Sequence, residues 1–216
     1  MMDNSVWWVG NTGMLKSHYT FNVTKPDSSD DPARRQVLEM VRAGQPVHAD
    51  VSPTRLTKIS EASGGRRSGR SRLPHLFHSS DLWFVSETVK TVLDGFDLGS
   101  AQLSRVELLE NDGTSIDQSF YWLSPGNPQA TFSRERSPAV LENDLIYGGT
   151  APARSLASFF AFQDGDVSVS AKALDGPSIW VEPRFISTFF VLGRVVEALR
   201  EADVANDFHF RRAELF

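Results

Sequence analysis

LWFVSETVKTVLDGFDLGSAQLSRVELLENDG, residues 82–113, carries the densest run of local folding signals in the chain. It opens on LWFVS (82–86), an apolar run rich in aromatic and β-branched residues, which reads as a strand. Ser86 stands where a helix N-cap accepts a backbone N–H, and Glu87 places a carboxylate at the positive end of the helix dipole. TVKTVL continues as a short helix closed by Gly95. QLSRVELLE (102–110) alternates apolar and polar residues with the period of two that marks a half-buried strand. NDGTS supplies turn residues, and QSFYWL (118–123) reads as the antiparallel strand that follows.

A later stretch repeats this logic. SIWV (178–181) and ISTFFV (186–191) read as strands, RVVEALREA (194–202) as a helix burying Val195, Ala198, Leu199 and Ala202, and DFHFRRAEL (207–215) as a last strand. Setting Val89 against Val195, an offset of 106, also pairs Phe84 with Phe190, Val85 with Val191 and Leu93 with Leu199. One further residue before the closing strand moves the offset to 107 and pairs Arg105 with Arg212, Glu107 with Glu214 and Leu108 with Leu215. The common unit is strand, helix, then a strand ending in Arg-x-Glu-Leu, and two copies of such a unit could build one continuous sheet. Arg105, Glu107, Arg212 and Glu214 read as solvent-side residues forming cross-strand ion pairs.

Outside the two units, SVWWV (5–9) and SHYTFNV (17–23) read as strands separated by the turn cluster NTG. A helix begins at Asp31 as N-cap with Pro32 at its first position, buries Val37, Met40 and Val41, and stops at Gly44. From Ser52 to Arg72 periodicity disappears, and SGGRRSGRSR reads as a mobile loop. SFFAFQDGDVSVS (158–170) reads as a hairpin around Asp164 and Gly165. The expected class is α+β: mostly antiparallel sheets, a few short helices packed on one face, and two similar strand-helix-strand units. The chain reads as a single domain over 1–216, with an N-terminal segment spanning residues 1–50, an Arg/Gly/Ser loop at 60–72 and repeat-like units at 78–123 and 178–216.

Composition narrows the function. With 216 residues, 40% of them hydrophobic and 23% charged, the chain is long enough to bury a core and too apolar to be disordered throughout. A net charge of -5 disfavours a general binder of nucleic acid or anionic membrane and permits a basic protein partner. No cysteine is present, which removes disulfides, thiolate zinc sites and a Cys nucleophile. Neither a signal peptide nor a membrane span is read, so a cytoplasmic protein is expected.

Motifs of catalysis are weak throughout. His75 and His78 stand as HLFH, but Pro74 favours extended chain there and no acid accompanies them at metalloprotease spacing, so both read as structural; His18, His48 and His209 have no motif around them. Ser86 lies on a strand-to-helix turn, where capping explains it without a GxSxG motif. GGRRSG lacks the Lys-Ser/Thr ending of a phosphate loop. The arginines of the loop, Arg66, Arg67, Arg70 and Arg72, have no interleaved aromatics to stack on bases. Acid pairs at ENDG (Glu110, Asp112), END (Glu142, Asp144) and DGD (Asp164, Asp166) fall in turns, where Asp and Asn serve the backbone. Trp7 and Trp8 are adjacent, so in a strand they face opposite ways, and one of them is a candidate surface anchor.

The segments LPHLFHSSDLWFVSETVKTVLDGFDLGSAQLSRVELLENDG and IWVEPRFISTFFVLGRVVEALREADVANDFHFRRAEL resemble a bacterial polymorphic-toxin immunity family, in which an apolar strand ending in Val-Ser-Glu leads into a helix and a strand. The second unit departs from that pattern, carrying Leu192 and Gly193 in place of Ser-Glu. The resemblance implies a cytoplasmic protein, encoded beside a secreted contact-dependent or type VI toxin, that neutralises the toxin domain in a tight protein complex. It implies no catalytic residue, no metal and no cofactor. The expected partner-binding residues are Glu110, Asp112, Glu142, Asp144, Asp164, Asp166, Trp7 and Trp8. Two other readings stay open: an enzyme acting on a small molecule or nucleic acid without a recognisable motif, and a nucleic-acid module using the arginine loop.

Overall fold

The computed structural model describes residues 4–9, 19–23, 32–61, 73–79, 82–137, 163–185 and 188–216. Twelve strands are formed among them: β1 (Val6–Val9), β2 (Tyr19–Val23), β3 (Arg55–Glu61), β4 (Leu76–Ser79), β5 (Leu82–Ser86), β6 (Gln102–Leu109), β7 (Phe120–Ser124), β8 (Ser168–Val169), β9 (Ile179–Trp180), β10 (Phe189–Leu192), β11 (Phe210–Arg212) and β12 (Glu214–Leu215). Three short helices accompany them: α1 (Pro32–Arg42), α2 (Glu87–Leu93) and α3 (Gly193–Glu201). The class is α+β with mostly antiparallel pairing; β3–β6 and β8–β12 are the parallel pairs. Among the described residues no helix is long and apolar enough to cross a membrane.

The two units do not merge into one sheet. One sheet has the order β2-β3-β6-β7-β5-β4 and another β11-β1-β10-β9, with β12-β8 continuing beyond Arg212. The adjacent strands β1 and β2 are thus not a hairpin: each joins a different sheet. Local pattern gives strand propensity but carries no information on which distant edge a strand completes.

Cross-strand register shows that the repeat is structural. Phe84 faces Trp122 as Phe190 faces Trp8, and Tyr121 faces Arg105 as Trp7 faces Arg212. VWWV of β1 therefore occupies the place of FYWL in β7. Parallel neighbours correspond as well, β3 beside β6 and β8 beside β12. Even single hydrogen bonds recur: Glu87 N–H donates to the Ser119 carbonyl (3.1 Å) and Gly193 N–H to the Ser5 carbonyl (2.7 Å), while Glu107 N–H reaches Thr54 (2.9 Å) and Glu214 N–H reaches Val167 (2.8 Å). In the first half the central strand β7 follows β6 through a turn; in the second the central strand is β1, from the other end of the described residues. Each half is a split β-α-β unit, with parallel strands joined through a helix and an antiparallel strand between them.

Each half curls so that its outer strands are brought together, directly in the first half and through residues 131–132 in the second. In the first half Ser79, ending β4, donates its hydroxyl to the Phe21 carbonyl of β2 at 2.6 Å. At the corresponding place in the second half, Glu182 accepts the N–H groups of Thr131 and Phe132, both at 2.8 Å, and Phe132 bridges to Val169 of β8. The interior of the first half holds Phe21, Leu56, Phe77, Phe84, Val106, Phe120 and Trp122 with Val37 and Val41 of α1; that of the second holds Val6, Trp8, Phe132, Val169, Trp180 and Phe190. Between the halves lies a third core in which α2 and α3 bury Val89, Leu93, Val195 and Leu199 against Trp83, Val85, Phe189 and Val191. Trp83 and Phe189, equivalent residues of the two halves, meet edge to face there with centroids 5.3 Å apart. Burying each of the aliphatic side chains is worth about 1.5–3 kcal/mol, so the halves are held by packing.

Two further sequence expectations are corrected. Residues 55–61, read as loop, form β3: only Leu56 in its first half is buried, too little apolar alternation to signal a strand. The last strand, expected over 207–215, is broken into β11 and β12 after a 3₁₀ turn at Ala205–Asp207, because at Ala213 the chain makes its last bond to β1 and turns to pair with β8. The arginine loop at 66–72 and the first arm of the 158–170 hairpin lie outside the described residues. In the second arm Asp164 and Gly165 (φ +90°) do form a turn, but β8 pairs with β12.

Candidate partner-binding surface

The acidic turns are fixed by their own carboxylates. Asp112 accepts the Thr114 N–H at 2.9 Å, as expected for an Asp that shapes a turn, and this bond, followed by one from the Thr114 hydroxyl, holds its pKa below the ordinary aspartate value. Glu110, two residues earlier, pairs with Lys58 of β3 at 3.1 Å. Asp164 accepts the Arg212 N–H at 2.9 Å, and Asp166 the Gln163 N–H at 2.6 Å. These four residues make two turns on different sheets, so the structure does not gather them into one cluster. Glu142 and Asp144 lie outside the described residues.

The two tryptophans separate as the strand period requires. Trp8 is 1% exposed inside the second half and offers no surface to a partner, which corrects its expected role. Trp7 is half-buried on the opposite face: its indole N–H donates to Ser5 Oγ at 2.7 Å, Phe210 packs edge-on at 6.5 Å, and the Arg200 guanidinium lies 4.9 Å above the ring. Tyr121, its equivalent, has Lys90 Nζ 5.4 Å from its ring centroid and donates its hydroxyl to Glu87 at 2.6 Å; that bond raises the phenol pKa.

Beside each of these rings runs an Arg-x-Glu-Leu strand, and each strand lines an open cleft. The first, about 440 Å³, is bounded by Arg105, Glu107, Ser115, Gln118 and Ser119; the second, about 450 Å³, by Ser5, Asp164, Arg212 and Glu214. Glu107 pairs with Arg55 at 2.8 Å and Glu214 accepts from Ser168 Oγ at 3.0 Å, both partners standing directly opposite in the parallel ladder. The expected cross-strand ion pair thus forms in the first half, and a hydrogen bond replaces it in the second. Arg105 and Arg212 are exposed, and among the described residues their side chains make no hydrogen bond or ion pair. The paired clefts could not be read from the sequence, although the repeated Arg-x-Glu-Leu named their linings.

His75, His78 and Ser86 have structural partners. His75 Nδ1 lies 2.7 Å from Ser86 Oγ, which also accepts the Val89 N–H as the N-cap of α2. His78 is buried against Trp83, with ring centroids 4.7 Å apart. Among the described residues no three His, Asp or Glu side chains gather closely enough to hold a metal ion. Among the described residues the most deeply placed carboxylate, Glu182, was not singled out by any motif; besides closing the second half it receives Arg184 Nε at 2.8 Å.

No family model matches the chain, and no curated protein matches it either.

Proposed function

We propose that this chain is an immunity protein that binds and neutralises a cognate secreted toxin by forming a tight protein-protein complex in the cell that makes both. The resemblance of residues 73–113 and 179–215 to a polymorphic-toxin immunity family motivates the reading. The observation that carries it is the set of acidic turns: Asp112 and Asp164 are oriented by backbone N–H groups, so their charge is presented to solvent at little further ordering cost. On a chain of net charge -5, such groups favour encounter with a basic protein, as with a toxin that acts on nucleic acid.

Co-expression with the toxin gene encoded beside this one tests the reading. Relief of lethality together with a stable co-purified complex is the expected result; continued lethality with no complex refutes it. Lys substitution at Glu110, Asp112, Asp164 and Asp166, with Glu142 and Asp144 added in a second variant, tests the surface separately. The association rate is expected to fall about 10-fold or more at low salt. An unchanged rate removes the acidic turns from the interface.

A further inference from the structure

Once the two halves are superposed through their strand registers, few positions carry the same residue in both. Phe84/Phe190, Val85/Val191, Val89/Val195, Leu93/Leu199 and Trp122/Trp8 are buried, and packing accounts for their identity. Arg105/Arg212 and Glu107/Glu214 are exposed, and packing requires nothing of them. The exposed pairs fall at the same place in each half, on the rim of a cleft, with the arginine directly across the ladder from an aromatic ring.

Each row has the make-up of an interface anchor. Tyr121 and Trp7 are already held, by Lys90 and Glu87 in one half and by Arg200 and Ser5 in the other, so their rings lose little freedom on contact. The glutamates are engaged with Arg55 and Ser168. Among the described residues the guanidinium groups of Arg105 and Arg212 are left with donors available, in the company of aromatic rings that enriches binding hot spots.

We propose that the rows Tyr121–Arg105–Glu107 and Trp7–Arg212–Glu214 are twin anchor patches for a protein partner, with Arg105 and Arg212 each gripping a carboxylate on that partner. The inference rests on the immunity reading, for which the partner is the toxin domain. On an acidic protein the two arginines are positive points at matching places. A partner drawn in by its overall basic charge is then registered by two of its own acids, which long-range attraction alone does not do.

Calorimetric titration of the toxin domain encoded beside this gene, against the full chain and its variants, tests the proposal. Arg105→Ala and Arg212→Ala are each expected to weaken Kd by about 10-fold or more and the double variant by about 100-fold, with folding unchanged by circular dichroism because both side chains are exposed. The double Lys variant is expected to recover only a fraction of the loss, since an ammonium lacks the guanidinium fork. Gln36→Ala, at an exposed position on α1, leaves Kd unchanged. If the wild-type chain binds and the double Ala variant binds within about threefold of it, the patches are refuted and the immunity reading stands. If only one arginine matters, the twin assignment fails; if the wild-type chain does not bind the toxin domain, both readings fall.

Discussion

Glu182 offers the sharpest test of how the second half is closed. Its carboxylate is fully buried and accepts three donors at 2.8 Å: the N–H groups of Thr131 and Phe132, and Arg184 Nε. Arg184 also donates to the Phe132 carbonyl at 2.7 Å and lies 4.9 Å over the Phe132 ring, so one carboxylate organises the whole seam. Glu182→Ala leaves the Phe132 N–H without an acceptor, at about 1–3 kcal/mol, while the Thr131 N–H keeps its bond to the Gln129 carbonyl at 3.1 Å. Loss of the charge partner adds less than for a fully buried pair, because the Arg184 side chain is 38% exposed and water can solvate it. The sum is roughly 2–4 kcal/mol, a large fraction of the roughly 5–15 kcal/mol typical of a folded protein. At the equivalent place Ser79→Ala removes one neutral hydrogen bond, about 1 kcal/mol. Urea unfolding of the wild type and both variants, followed by fluorescence and circular dichroism, measures the difference directly. A Glu182→Ala loss below about 1.5 kcal/mol, or one no larger than that of Ser79→Ala, refutes the carboxylate's role in closing the seam.

Two more outcomes follow from the same geometry. Trp8→Ala and Trp122→Ala empty equivalent places in the two interiors, so each is expected to cost about 3–5 kcal/mol in chemical denaturation; a near-neutral Trp8→Ala would remove β1 from the second half. The Asp112 carboxyl, followed by NMR, is expected to titrate below an ordinary aspartate, and Thr114→Ala to move it only some of the way back, because the main-chain bond survives. Since the folded pKa is the lower one, this contribution to stability is present above the ordinary aspartate pKa and is lost as pH falls through the folded value.

Much of the fold was legible because it is locally encoded. LWFVS, the Ser86 cap and the α2 stripe are each specified by neighbouring residues, and the structure forms them at the expected places. The offsets of 106 and 107 found by residue identity are the offsets of structural equivalence. β3 was hidden because, over its first four residues, Leu56 alone marks its buried face, and what holds the strand is its pairing with β2 and β6. The site was legible only in its chemistry. Aspartates in turns and one surface tryptophan of two were expected, but the distribution of those turns over two sheets follows from topology. Asking which of Trp7 and Trp8 is buried amounts to asking which face of β1 meets the second interior, and strand period does not answer that.

The α+β class, the capped helix α2 and the existence of two related units were all written in the linear order of residues, because propensity, capping and hydrophobic period act over a few positions. Only the folded arrangement settles that the units form two separate curled halves, that β1 completes the half farthest from it in the chain, and that Ser79 and Glu182 close equivalent seams. The pairing of β1 with β10 and β11 joins residues far apart in the chain. There the backbone hydrogen bonds of one strand are satisfied by any edge that the global packing brings beside it.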